Sequence, residues 1–100
     1  MNNFSYRKFI KLSSMLNNSR IKDEYFDLFL TQEERKDIGQ RLEIVFELLK
    51  GENSQREIAR KLGTSIAKIT RGSNCLKEVS SELKNAILQF SESANTNNQS

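Results

Sequence analysis

The side chains able to act on a partner are gathered in one segment of the chain. Residues 51–77 carry six basic side chains (Arg56, Arg60, Lys61, Lys68, Arg71 and Lys77) against two acidic ones, Glu52 and Glu57. Residues 1–50 hold nine basic against eight acidic groups, and residues 78–100 one against three. The cationic excess therefore lies on a single stretch, as contact with phosphates requires. Other chemistries lack their residues. There is no histidine and one cysteine, Cys75, so histidine acid–base catalysis, histidine or cysteine metal sites and an internal disulfide are excluded. No acidic cluster has metal-binding spacing, and enzyme readings, such as a recombinase-type DNA-binding domain attached to catalysis, start weak.

The elements that must present these cations are legible in SQREIARKLGTSIAKITR, residues 54–71. Ser54 and Glu57 form a capping-box pair that starts a helix. Ile58, Ala59 and Leu62 fall on one face of it. Gly63 supplies the freedom for a sharp turn, and Thr64 or Ser65 caps a second helix. In that second helix Ile66 and Ile69 are expected to face back, leaving Ala67, Lys68, Thr70 and Arg71 largely outward. Two short helices joined by a tight turn make a helix-turn-helix, whose projecting second helix fits the DNA major groove. The same pattern also occurs as plain packing; the positive charge on it favours DNA.

The rest of the chain reads as all-helical. It has no proline and four glycines. A first helix is predicted over about Phe4 to Leu16 and a second over about Arg20 to Leu30, each with an apolar and aromatic stripe best read as packing. Thr31 and Glu34 form another capping box, opening the longest helix, which runs to Lys50 before Gly51. Between Leu42 and Leu49 six of eight residues are apolar, too wide a surface for a single stripe. Burial by a second copy of the chain is the expected solution, with a central helix buried in a monomer as the alternative. After Arg71, the segment RGSNCLK reads as a loop. Ser80 or Ser81 caps a final helix carrying Leu83, Ala86, Ile87 and Phe90, and residues 91–100 read as a disordered polar tail. One domain over residues 1–90 results, with the helix-turn-helix at 54–72. The N-terminus MNNFSYRKFIKL lacks the apolar run of a targeting signal and no segment is long enough to span a membrane, so a cytoplasmic location is expected.

The motifs LTQEERKDIGQR, LLKGENSQREIA and ITRGSNCLK, in this order, resemble the tryptophan repressor family of bacteria across roughly Leu28 to Leu83. The combination of ITRGSN, GE-x-SQRE and LT-x-x-ER is far more specific than a helix-turn-helix pattern. The resemblance implies an intertwined all-α homodimer of about six helices per chain. It implies L-tryptophan as corepressor, with no metal and no other cofactor, and operator DNA as the partner of the loaded dimer. Arg41 and Arg71 match the two arginines that flank the indole ring, a role suited to planar guanidinium groups. Thr31 matches a threonine near the ligand carboxylate. Leu28 and Leu30 match positions whose backbone carbonyls, from the other subunit, accept from the ligand amine. Gly72 matches a glycine that leaves room for the ring. For DNA, the resemblance implicates Gln55, Arg56, Ile66, Ala67, Lys68, Thr70 and Lys77, with Arg56 and Lys77 as phosphate partners.

This sequence departs from the family at four positions. Cys75 stands where the family has a serine, and a thiol is a weak hydrogen-bond partner for a ligand amine. Lys68 replaces a threonine, Ser65 a glycine and Ala59 a lysine, changes that bear on operator preference. The alternative to a tryptophan-dependent repressor is a helix-turn-helix regulator that is constitutive or answers to another small ligand.

Overall fold

The computed structural model describes residues 3–98, with side chains described from Asn3 to Ala94. Among the described residues there are six helices and no strand: α1 Phe4–Met15, α2 Ser19–Phe29, α3 Gln32–Lys50, α4 Gln55–Leu62, α5 Ile66–Leu76 and α6 Ser81–Asn98. The all-α expectation and its six helices are thus met. The chain divides into two compact units, residues 1–36 and 37–100, with the boundary inside α3.

The first unit is organised by aromatic side chains. Asn18 caps α2 by accepting from the amides of Arg20 and Ile21. The Phe9 ring stacks on Tyr25 at 5.1 Å and meets Phe29 edge-on at 5.4 Å, while the Tyr25 hydroxyl donates to the Phe9 carbonyl at 2.7 Å. Paired aromatics therefore hold α1 to α2. Only Tyr25 is buried in these two helices; Phe4, Tyr6, Ile10, Leu12, Met15, Ile21, Leu28 and Phe29 are all exposed.

The second unit is built on the C-terminal part of α3. Ile44, Ile58, Ala59 and Ile69 form its buried centre, with Leu48 and Leu62 packed against it; Ile58 and Ile69 are 0% exposed. One residue of α3 thus meets two of α4 and one of α5, and this shared contact sets where the two short helices lie. Phe46 of α3 stacks on Phe90 of α6 with ring centres 6.3 Å apart.

Two expectations are corrected. The segment after Arg71 is not a loop, since α5 continues to Leu76. Among the described residues the glycines with positive φ are Gly51 and Gly63, so Gly72 has no turn to make. It sits where α5 passes close to α3: an added Cβ would lie 3.2 Å from Ile44 Cγ2. Helix α6, capped by Ser80, likewise runs on through the polar residues 91–98 in place of a structureless tail. Ser91 at that junction is buried, and nothing in the sequence beyond it breaks a helix. Residues 99 and 100 lie outside the described ones.

Candidate functional site

Local sequence fixes the α4–α5 pair firmly. The Ser54 side chain accepts from the Glu57 amide at 3.1 Å, and the Glu57 carboxylate accepts from the Ser54 amide at 3.2 Å, completing the capping box. The Ser54 hydroxyl and the Ser54 amide, both beside the carboxylate, hold the Glu57 carboxyl below its ordinary pKa. Gly63, at φ 65° and ψ 40°, ends α4 in the left-handed conformation that other residues adopt only with strain. Ser65 caps α5 by accepting from the Lys68 amide at 3.2 Å.

Helix α4 is tied to α3 by a buried carboxylate. Glu47 is 5% exposed. One of its oxygens accepts from Lys61 Nζ at 3.1 Å and lies 3.5 Å from Lys50 Nζ; the other accepts from Asn53 Nδ2 at 3.5 Å. Burial pushes the pKa of this group up, but the Lys61 hydrogen bond, the two lysine charges and Asn53 outweigh it, and the net shift is downward. The anion is therefore the stable form, and it holds Asn53 just before α4 and Lys61 in its last turn.

Between α3, α5 and α6 lies a cavity of about 410 Å³. Helix α3 lines it with Asp37, Gln40, Arg41 and Ile44, and α5 with Lys68, Arg71, Gly72 and Cys75. Each set follows the spacing i, i+3, i+4, i+7, the stripe that one helix shows a neighbour. Val45, Leu76, Val79, Leu83 and Ile87 supply the remaining apolar wall. The result is a largely apolar cavity whose lining includes three cations and one carboxylate, a form suited to a small ligand with a ring and a negative charge.

Of the residues implicated in ligand binding, Arg41, Arg71, Gly72 and Cys75 line this cavity together. Leu28, Leu30 and Thr31 belong to the N-terminal unit. There the Thr31 hydroxyl accepts from the Glu34 amide at 3.1 Å and the Glu34 carboxylate accepts from the Thr31 amide at 2.8 Å, the second capping box; Leu28 is 75% exposed. The residues implicated in DNA contact divide. Arg56, Ile66 and Ala67 are exposed. The Thr70 hydroxyl donates to Gln55 Oε1 at 2.9 Å, joining α5 to the start of α4. Lys77 Nζ donates to Asn74 Oδ1 at 3.4 Å. Lys68, expected to face outward, is exposed and also lines the cavity, its ammonium 3.3 Å from Gln40 Oε1. Asp37, Gln40 and Glu47 are not singled out by the sequence motifs. The spacing of 37, 40 and 41 ahead of Ile44 is the available signal for the first two.

The family model described as Trp repressor protein matches residues 5–91. The chain belongs to that family. A Trp operon repressor homolog of Chlamydia trachomatis serovar D is 46% identical over 79 residues, which cover 79% of this chain and 84% of the relative. Homologs of the same description from Vibrio vulnificus (49% over 70 residues, 70% of this chain and 69% of the relative) and Vibrio cholerae (50% over 63 residues, 63% and 61%) are also similar. Membership in the Trp repressor family makes the chain a transcriptional repressor and not an enzyme. Among the described residues no cluster of His, Cys, Asp or Glu could hold a metal ion, and no helix is long and apolar enough to cross a membrane.

Proposed function

We propose that the chain acts as a homodimer that takes up L-tryptophan in the α3–α5–α6 cavity and, so loaded, binds operator DNA in the cytoplasm through α4 and α5, repressing genes of tryptophan biosynthesis or uptake. The observation that carries this reading is that Arg41 and Arg71 line one apolar cavity from two different helices, and that one of these, α5, is the second helix of the α4–α5 pair, the position that reads DNA in a helix-turn-helix. A planar ring between two guanidinium groups would link the long helix to the DNA-facing one.

The dimer is supported by surface that the chain leaves uncovered. The first unit exposes a run of aromatic and aliphatic side chains, and in the second Ile38, Leu42, Leu83 and Phe90 are exposed as well. Such apolar area marks an interface. In the dimer, the carbonyls of Leu28 and Leu30 and the hydroxyl of Thr31 would complete the ligand site, the carbonyls coming from the other subunit. Gln55, Arg56, Ile66, Ala67, Thr70 and Lys77 would meet the duplex. Two such heads must enter successive major grooves about 34 Å apart, so a small ligand-driven shift of α5 alters binding strongly.

Calorimetric titration with L-tryptophan, followed by operator selection with and without it, tests the reading. One ligand per chain is expected, with binding lost in Arg71→Ala and operator affinity raised by the ligand by roughly 1 to 3 kcal/mol, the usual size of such coupling. Operator affinity independent of tryptophan would instead leave a helix-turn-helix regulator that is constitutive or takes another ligand.

A further inference from the structure

The tryptophan reading accounts for Arg41 and Arg71 but leaves a third cation in the same wall. Lys68 precedes Arg71 by one helical turn, so both side chains issue from one stripe of α5. Among the described residues none of Arg41, Lys68 and Arg71 has a salt-bridge partner; the ion pairs are Arg35–Asp27, Lys50–Glu47 and Lys61–Glu47. The Lys68 ammonium rests on the neutral oxygen of Gln40 at 3.3 Å, which it shares with the Thr64 hydroxyl at 3.5 Å. Asp37 is the one carboxylate in the lining. Three cations beside an apolar wall with one anion among them repel one another, and an added negative group would relieve that repulsion. A carboxylate has two oxygens that accept from two donors at once, and charge-assisted bonds of this kind outweigh a bond to an amide oxygen.

We propose that Lys68 is a specificity-determining residue of the cavity, binding the ligand's carboxylate together with Arg71 and leaving Gln40 to do so. This rests on the reading of the cavity as an aromatic amino acid site. It makes the carboxylate, more than the ring alone, the feature by which this chain selects its ligand. It also gives the ligand a hold on the first turn of α5, next to the Ser65 cap, in addition to the hold at Arg71.

The test is a cycle between the protein charge and the ligand charge. L-tryptophan and L-tryptophan amide, which keeps the ring and amine and lacks the anion, are titrated into the full chain, into Lys68→Met and into Arg60→Met. Arg60 is exposed on α4 and controls for the loss of one positive charge. The wild type and Arg60→Met are expected to prefer the acid over the amide by the same factor, and Lys68→Met by about tenfold less, the worth of one charged hydrogen bond. Lys68→Arg is expected to restore most of the preference. An acid-to-amide ratio unchanged in Lys68→Met would overturn the role of Lys68 while the tryptophan site stands. A wild-type chain that binds neither compound would overturn the tryptophan reading itself, and the assignment of Lys68 with it.

Discussion

Helix α4 is held to α3 by a buried carboxylate as well as by packing, whereas α5 is held by packing and by one neutral side chain. Glu47 grips Lys61 at the far end of α4 and Asn53 just before its start, and Ile58 is sealed against Ile44. On α5, Ile69 is sealed against the same Ile44, but the polar tie is Gln40 to Lys68 and, at the turn, to Thr64, at 3.3 and 3.5 Å. A buried ion is lost only at high cost, while a bond between exposed neutral and charged groups is exchanged readily. The pair thus has a fixed arm and an adjustable one. The adjustable arm lines the cavity.

The largest effects should come from the apolar contacts the two arms share. Ile58→Ala and Ile69→Ala each remove a fully buried side chain, and each should cost about 2 to 5 kcal/mol in denaturant unfolding. The milder Ile58→Val and Ile69→Val, at about 0.5 to 1.5 kcal/mol, keep the fold and separate the arms. Tryptophan affinity should survive the first and fall in the second. Equal losses of affinity in both would show that the arms move as one body.

Next in size is the carboxylate. Glu47→Gln should cost about 1 to 2 kcal/mol at neutral pH, because Lys61 is half exposed and can turn to water when its partner is neutralised. Its pH dependence has a definite sign. A carboxyl whose folded pKa is depressed contributes stability that is present above its ordinary value, about 4.5, and lost as pH falls through the folded value. Wild type minus variant, measured by thermal unfolding from pH 7 to pH 3, should therefore shrink below about pH 4.5. Glu34 and Glu57, depressed by their hydrogen bonds to Thr31 and Ser54, keep their own slopes in both proteins and cancel in the difference. A difference that stays constant down to pH 3 would remove the ionic tie from the account of the fixed arm.

The caps come third. Ser54→Ala breaks a reciprocal box on a helix of eight residues, while Ser65→Ala removes a single acceptor from one of eleven. Both should fall near 1 kcal/mol, with Ser54 the larger, as read from melting temperatures.

The sequence shows the fixed arm more fully than the adjustable one. Ser54, Glu57, Ile58, Ala59 and Gly63 specify α4 and its turn through local rules of capping, periodicity and backbone freedom, and each acts as those rules predict. Lys50, three residues on, is at helical spacing, but the hold of Glu47 on α4 is hidden because Asn53 and Lys61 lie 6 and 14 residues away, a distance over which spacing carries no signal. On α5, the glycine at 72 reads as a helix stop, which cuts the helix at Arg71. With α5 ending there, Gly72 and Cys75 have no stripe to share with Lys68, and Lys68 reads as outward. Its place in the cavity lining depends on the approach of α5 to α3, where Gly72 meets Ile44, a contact between distant parts of the chain. The two arginines, Gly72 and Cys75 are reached through family likeness, and Gln40 and Asp37 by neither route.

That packing supplies the smallest effect on stability and the sharpest on the comparison. In Gly72→Ala the new Cβ would stand 3.2 Å from Ile44 Cγ2 and 3.5 Å from Leu48 Cδ1. Alanine favours the helix over glycine by roughly 0.8 to 1 kcal/mol, which offsets the pressure on Ile44, so the melting temperature should move little. The pressure must still be relieved. Ile44 is buried against Ile58, Ala59 and Ile69 and has little room to withdraw, so α5, the less firmly tied arm, is the part that yields by a few tenths of an ångström. Gly72 and Ile44 both line the cavity, and tryptophan affinity should drop severalfold while the fold stays as stable as before. A variant that melts at the same temperature and binds tryptophan as the wild type does would mean that Ile44 gives way instead, and that the adjustable arm is held more rigidly than its polar contacts suggest.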